Sequence, residues 1–178
     1  MAAENNKDWA GDAQNAATDG EFTRDTSYIA DRVVASVTTE QPQATNDETL
    51  HWPVQPHRYR LVAARACPWA HRAVIVRRLL GLEDVISLGL AGPTHDKRSW
   101  TFDLDPGKVD PVLHIPRLQD AYFKRFPDYP RGITVPAVVE ESSGKVVTND
   151  FNSMVRDFQT QWTDYHRTGA PNLLPPEE

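Results

Sequence analysis

Cys67 is the residue in this chain of 178 with the clearest capacity for covalent chemistry, and it is the only cysteine. It follows RYRLVAARA, a run with the composition of a strand, and it precedes Pro68 and a segment with helical apolar spacing. Proline suits the first turn of a helix, because backbone N–H groups there have no intrahelical acceptor and its lack of an N–H costs no hydrogen bond. The unpaired N–H groups and the dipole of a helix start stabilise a thiolate, so this position favours a nucleophile. Arg65 and His71 add positive or proton-donating groups nearby.

The alternative interpretation of Cys67 is a small buried hydrophobe, which is common for a lone cysteine. The strand–Cys-Pro–helix context favours the reactive interpretation. One cysteine cannot form an internal disulfide, which argues against a disulfide-stapled secreted fold and fits a reducing, cytoplasmic setting. A metal site is disfavoured, because His71 has no second ligand pair at suitable spacing.

Hydrophobic patterning predicts an α/β fold with a β-α-β unit followed by a β-β-α unit. This is the order of a thioredoxin-like domain, with a parallel strand pair from the crossover and an antiparallel pair from the hairpin. On the first helix the pattern predicts an apolar face that includes Ile75 and Leu79, and it leaves Arg77 and Arg78 solvated. The predicted elements are a strand at 58–66, a helix ending before Gly81, a strand at 84–90, a short helix at 116–126, a hairpin at 133–148 and a helix at 150–162.

Three units are predicted along the chain: a largely irregular extension at 1–57, the thioredoxin-like domain at 58–165, and a Pro-rich tail at 166–178. Much of the extension is expected to be mobile or loosely draped, since stretches such as TTEQPQATNDET bury too little apolar surface to offset their ordering entropy. A short piece of it is expected to dock onto the domain through its apolar residues, which are Phe22, Tyr28, Ile29, Val33 and Val34.

Charge and hydropathy narrow the classes of partner. The net charge of −6 argues against nucleic-acid binding. No apolar run approaches 18 residues, and the N-terminus lacks a basic region followed by an apolar one, so neither a membrane span nor a secretory signal is predicted.

Two further positions favour ligand binding. A proline that opens a strand, as Pro136 does, is usually trans and structural. In thioredoxin-like proteins the equivalent proline is cis, and the backbone of the preceding residue, here Val135, binds a thiol peptide in a strand-like manner. Asp150 is placed to cap the last helix, which requires no further function, and its carboxylate also suits a ligand with a free amine.

Four separated motifs resemble the glutathionyl-hydroquinone reductases, the xi class of glutathione transferases. They occur in the family's order between about Arg58 and Trp162, and the signature Cys-Pro-Trp-Ala begins at Cys67. The motifs are ACPWAHRAVIVRRLLGLEDVISL, SWTFD, ITVPAVVE and VVTND.

The resemblance implies a mechanism. Cys67 attacks the glutathionyl sulfur of a glutathionylated hydroquinone, the hydroquinone leaves, and a second glutathione resolves the mixed disulfide. A lone cysteine fits this scheme, since no internal resolving thiol is needed. The family match assigns Trp100 to packing on glutathione, Val135 to its cysteinyl part and Asp150 to its γ-glutamyl group.

Departures from the family pattern leave alternatives open. The family's Gly-Arg appears here as Arg131-Gly132, which displaces the glutathione-contacting arginine by one residue. Its Glu-Ser pair is Asp150-Phe151, so another low-molecular-weight thiol stays open beside glutathione. The family's all-helical domain, which carries quinone and dimer contacts, would begin near Glu178. The expectation is therefore a thiol-dependent reductase, with a homodimer left open, or a non-catalytic domain that binds a thiol or a partner protein.

Overall fold

The computed structural model describes residues 28–46, 48–93, 95, 96 and 99–174. In this part of the chain the strands are β1 (Arg32–Val34), β2 (Gln43–Ala44), β3 (Leu50–Pro53), β4 (Tyr59–Ala64), β5 (Ile86–Ala91), β6 (His95–Asp96), β7 (Ser99–Trp100), β8 (Ala137–Glu140) and β9 (Val146–Thr148). The α-helices are α1 (Pro68–Leu80), α2 (Gln119–Arg125) and α3 (Phe151–Thr160).

A four-stranded sheet in the order β5-β4-β8-β9 forms the centre of the fold. Strands β4 and β5 are parallel, with Leu61 opposite Leu88, because α1 returns the chain to the same end of the sheet. Strand β8 is antiparallel to both β4 and β9. The β-α-β and β-β-α units predicted from the sequence are therefore confirmed, and the fold is thioredoxin-like.

The sheet buries apolar side chains on both faces because successive residues of a strand point in opposite directions. Leu61 of β4 joins the cluster that contains Met154 and Phe158 of α3. Its neighbour Val62 joins the cluster that contains Ala121 and other residues of the α2 region. Each of the central strands thus contributes to two cores, and Cys67, Trp100 and Val135 all pack in the one that contains Ala121.

Helix α1 ends where the sequence predicts, but its buried face differs from the predicted one. Gly81 adopts a φ of 78°, and its N–H caps the helix through the carbonyls of residues 77 and 78. Arg77, expected to be solvated, is 5% exposed, and its Nε donates to the carbonyl of Ile86 at 2.6 Å. Ile75, expected inside, is 54% exposed. Small residues such as Ala73 let the helix lie close to its neighbours, and the long stem of Arg77 reaches the carbonyls beyond the helix end.

The N-terminal extension contains regular structure within residues 28–57. Strand β3 pairs with β1 in parallel and with β2 in antiparallel orientation. Val33 and Val34 are 5% and 7% exposed, so the expected docking of this segment is confirmed. The Nε atom of Arg32 donates to both carboxylate oxygens of Asp157 in α3, at 2.9 and 2.8 Å. Phe22 and the rest of residues 1–27 lie outside the described part of the chain.

The linker between β5 and α2 is anchored to the sheet by a buried ion pair. Asp110 is fully buried, and one of its oxygens accepts from Arg60 Nε at 2.9 Å. Its other oxygen accepts the N–H groups of Val112 and Leu113. The same linker carries the short strands β6 and β7, and Trp100 is the last residue of β7. No helix among the described residues is long and apolar enough to cross a bilayer.

Candidate active site

Cys67 is the N-cap residue of α1, as the sequence predicts. Its backbone is extended, with φ −101° and ψ 114°, and its carbonyl accepts the N–H of His71 at 3.0 Å. Its side chain makes no cap hydrogen bond. The half-buried thiol instead lies 3.4 Å from the carbonyl oxygen of Val135. The first N–H groups of a helix lack intrahelical partners, so the sulfur lies beside a positive helix end.

Val135 and Pro136 form the loop that faces the thiol. The peptide bond between them is cis, as expected from the thioredoxin-like comparison. Val135 is 6% exposed, and the chain enters β8 at Ala137, directly beyond the proline. Backbone that leads into a strand next to a sulfur is suited to strand-like hydrogen bonding with the cysteinyl part of a thiol peptide.

Asp150 caps α3. Its Oδ1 atom accepts the N–H groups of Asn152 and Ser153 at 3.1 and 3.3 Å, and its Oδ2 accepts the hydroxyl of Ser153 at 2.7 Å. The capping role that the sequence suggested is therefore confirmed. A carboxylate offers about four lone-pair sites, so the three bonds from described residues leave capacity for one more donor.

Stacked aromatic rings connect the start of α1 to the start of α3. Trp69 stacks on Phe151 with centroids 4.8 Å apart and an interplanar angle of 24°. Tyr28 makes a T-shaped contact with Phe151, with ring centroids 5.6 Å apart. The guanidinium of Arg72 lies 5.1 Å from the Trp69 ring centroid. The residue that replaces the family's serine, Phe151, thus builds an aromatic wall beside the cysteine motif.

Trp100 and Arg131 lie in the two long connections. Trp100 is half-buried in β7 and packs against the same apolar cluster as Cys67. Arg131 is half-buried in the loop between α2 and β8, four positions before Val135. Their contacts with a thiol ligand stay predictions.

Sequence reasoning missed two polar residues beside the predicted ones. Asn149 is 2% exposed and donates from Nδ2 to the hydroxyl oxygen of Thr134 at 2.8 Å. The tyrosine Tyr122 donates to the carbonyl oxygen of Thr134 at 2.9 Å. Burial raises the pKa of Tyr122 far above its ordinary value, so its hydroxyl stays a donor. Asn149 directly precedes Asp150 in the sequence, which is the one signal that could have found it; Tyr122 is distant in sequence from both Val135 and Asp150.

The described residues contain no group of three or more His, Cys, Asp or Glu side chains that would hold a metal ion.

These features define a thioredoxin-like domain with one cysteine at the start of its first helix and a cis-proline loop against it. The family model for the N-terminal domain of glutathione S-transferases matches residues 66–161. The chain belongs to this family.

The chain is similar to several members of this family. A glutathione transferase from Gordonia bronchialis DSM 43247 is 64% identical, with a TM-score of 0.75 over 84% of this chain and 43% of that one. The glutathionyl-hydroquinone reductase YqjG of Escherichia coli is 35% identical over 121 residues, 67% of this chain and 37% of that protein. Its glutathione-bound structure gives a TM-score of 0.64 at 28% identity, over 78% and 45% of the two chains.

The xi glutathione transferase of Phanerochaete chrysosporium is 30% identical, with a TM-score of 0.66 over 83% of this chain and 44% of that one. The resemblance to xi-class transferases and glutathionyl-hydroquinone reductases is therefore confirmed. The chain spans less than half the length of the curated relatives it matches.

Proposed function

We propose that this chain is the thiol-binding catalytic domain of a glutathione-dependent reductase of glutathionyl-hydroquinones, with Cys67 as nucleophile. The observation that carries the proposal is the position of the Cys67 sulfur. It lies at the N-terminus of α1 and 3.4 Å from the Val135 carbonyl, beside the cis-proline loop. A bound thiol peptide that pairs with this backbone brings its own sulfur to Cys67.

The first step forms a disulfide and breaks a carbon–sulfur bond. The Cys67 thiolate attacks the sulfur of the glutathionyl group, and an S–S bond forms. The bond between that sulfur and the aromatic carbon breaks with its electron pair on carbon. That carbon takes a proton and leaves as the free hydroquinone, so the ring is reduced and the two sulfurs are oxidised.

The second step regenerates the thiol by disulfide exchange. A glutathione thiolate attacks the glutathionyl sulfur of the mixed disulfide, and Cys67 leaves as thiolate. Glutathione disulfide is released, so the electrons for the reduction come from two glutathionyl sulfurs. The chain has one cysteine, and an external thiol is therefore the reagent that resolves the intermediate.

Glutathione would lie along the loop and the two helix starts. The backbone of Val135 would pair with its cysteinyl part, and Trp100 would pack on it. Asp150 Oδ2, which accepts the hydroxyl of Ser153, would also accept a hydrogen bond from the ammonium group of the γ-glutamyl end. Arg131 is proposed to face the ligand's carboxylates, since it lies in the same loop as Val135.

Release of free hydroquinone from a glutathionylated hydroquinone, with reduced glutathione present, tests the proposal. We expect turnover by the native chain and none by Cys67→Ser. A matched control is Cys67→Ser combined with Ser142→Cys, which restores an exposed thiol in the turn after β8, at the strand end away from Pro136. Turnover by Cys67→Ser, or by this control, contradicts the proposal.

The second candidate is a domain that binds a thiol or a partner protein without turnover. It is favoured by one observation: Ile75 and Leu79 of α1 leave an apolar patch at the surface, 54% and 37% exposed. The two candidates separate in one experiment. Under the second, Cys67 forms a mixed disulfide with glutathione disulfide, while glutathionylated hydroquinone stays intact.

A further inference from the structure

Thr134, the residue before the cis Val135–Pro136 bond, is held from two directions. Its carbonyl oxygen accepts the hydroxyl of Tyr122 at 2.9 Å, and its own hydroxyl oxygen accepts Nδ2 of Asn149 at 2.8 Å. Tyr122 belongs to α2, and Asn149 lies at the junction of β9 and α3. Two separate elements thus fix one residue, and we call Tyr122, Thr134 and Asn149 the clamp.

Asn149 also connects the clamp to the N-terminal segment. Its Oδ1 accepts the N–H of Ile29 at 2.8 Å, while Thr148 donates its hydroxyl to the carbonyl of Ile29 at 2.6 Å. Both backbone groups of Ile29 are therefore bound at the β9–α3 junction. The amide of Asn149 has a fixed orientation, because only its oxygen can accept from Ile29 and only its nitrogen can donate to Thr134.

The segment that reaches Asn149 is itself anchored on both sides. We call residues Tyr28–Val34 the strap. Beyond Ile29, Asp31 accepts Trp52 Nε1 at 2.8 Å, and Arg32 pairs with Asp157 of α3. Before Ile29, the ring of Tyr28 packs on Phe151 in the aromatic wall. The strap therefore contacts the site through a hydrogen-bonded path and through an aromatic one.

We propose that Asn149 is a positioning residue for the thiol ligand: through Thr134 it fixes the Val135 backbone to which the ligand pairs, and it makes the strap part of the site. The proposal rests on the proposed function, because it concerns the same thiol-binding loop. Asn149 touches neither the ligand nor Cys67 in this scheme. Its side chain accepts from the N–H of Ile29 and donates to the hydroxyl of Thr134. Loss of the side chain removes both partners and leaves these polar groups unsatisfied next to the loop.

The test compares two reactions of Cys67. Glutathione disulfide must be held along Val135 to react, whereas iodoacetamide is too small to need that loop. We expect Asn149→Ala and Thr134→Val to slow mixed-disulfide formation with glutathione disulfide by about tenfold, as for the loss of a buried hydrogen bond. Alkylation by iodoacetamide should stay within about twofold of the native rate on the same argument. Thr134→Ser, which keeps the hydroxyl, should recover most of the loss.

Thr160→Val is the matched control, because it removes an exposed threonine hydroxyl at the far end of α3. It should leave both rates at native values. Native disulfide exchange in Asn149→Ala and Thr134→Val overturns the proposal, and so does an equal slowing of both reagents, which would place the effect on the thiol itself.

Hydrogen exchange of residues 131–137 tests the clamp without any thiol chemistry. Exchange there should rise in Asn149→Ala and Thr134→Val, while exchange in α1 stays native; unchanged exchange at 131–137 overturns the clamp. A different outcome is that hydrogen exchange rises as expected but the native chain forms no adduct with glutathione disulfide. In that case the proposed function and the ligand-positioning role of Asn149 both fail, and the clamp remains only as a structural contact.

Discussion

The Sγ atom of Cys67 lies 3.4 Å from the carbonyl oxygen of Val135, although 68 positions separate the two residues. The contact follows from the pairing of β4 with β8. These strands are antiparallel neighbours with Val62 opposite Ala137, so the end of β4 and the start of β8 lie side by side. The loop that carries Cys67 leaves the sheet at the place where the loop that carries Val135 enters it.

The carboxylate of Asp150 caps α3, and its proposed role in ligand binding is separable from that cap. Asparagine caps helices as well as aspartate, so Asp150→Asn should change the free energy of unfolding by less than about 0.5 kcal/mol. The lost charge should weaken binding of reduced glutathione by about tenfold, since hydrogen bonds between charged groups contribute more than neutral ones. Calorimetric titration and urea unfolding measure the two effects.

Asp150→Ala is the comparison variant, because it removes the cap as well and should cost about 1 kcal/mol of stability. Native glutathione affinity in Asp150→Asn would exclude the charge from ligand binding.

Gly81 closes α1 against the segment that follows α3. Its φ is +78°, and a Cβ atom there would lie 2.5 Å from Cβ of Arg167. Gly169 is the matched control: its φ is +74°, and apart from its chain neighbours no atom of the described residues lies within 4 Å of such a Cβ. Gly81→Ala should lower the free energy of unfolding by about 3 kcal/mol, and Gly169→Ala by about 1 kcal/mol, because only the first adds a clash to the backbone strain. Equal losses in urea unfolding would contradict the packing of Arg167 on this turn.

Local signals in the sequence were sufficient for the elements that carry Cys67. Pro68, Gly81 and the apolar spacing between them define α1, and the capping position of Asp150 defines the start of α3. A glycine at a left-handed position ends a helix, and an oxygen-bearing side chain at a helix start caps it. Both effects act on backbone groups within a few residues, so the sequence alone is sufficient to predict these helix ends.

Features that depend on distant contacts were not predictable in the same way. Arg77 was expected in water because it is charged, yet its partners are backbone carbonyls such as that of Ile86 beyond the helix end. The strands of the extension have two to four residues, too few for a periodic pattern, and β1 forms only by pairing with β3. The clamp requires three elements to meet at Thr134, and neither the spacing nor the type of its members signals this.

Breaking the Arg32–Asp157 pair should make the free energy of unfolding depend more strongly on pH. Burial raises the pKa of Asp157 above its ordinary value of 3.8, and the hydrogen bonds from Arg32 oppose that rise. In Arg32→Met the opposing group is absent, so the folded state takes up a proton in the range between the unfolded and the raised folded pKa. The variant should be less stable than the native chain by about 2 kcal/mol at pH 7.5.

This deficit should shrink as the pH falls toward 3.8, because protonation removes the unpaired buried charge. Urea unfolding at pH 7.5 and pH 5 measures it. Arg156→Met, at an exposed position of the same helix, is the control and should stay within about 0.5 kcal/mol of native stability at both pH values. A deficit that grows at pH 5 would contradict the role of Asp157.

A single-turnover reaction tests the central claim about Cys67 most directly. The native chain is mixed with glutathionylated hydroquinone in the absence of free glutathione, and the product and the intact mass of the protein are measured together. The account predicts one equivalent of free hydroquinone and one glutathionyl group on Cys67, which added glutathione then removes as its disulfide. Hydroquinone released without a glutathionyl group on Cys67, or an unreacted conjugate beside an unmodified thiol, would contradict it.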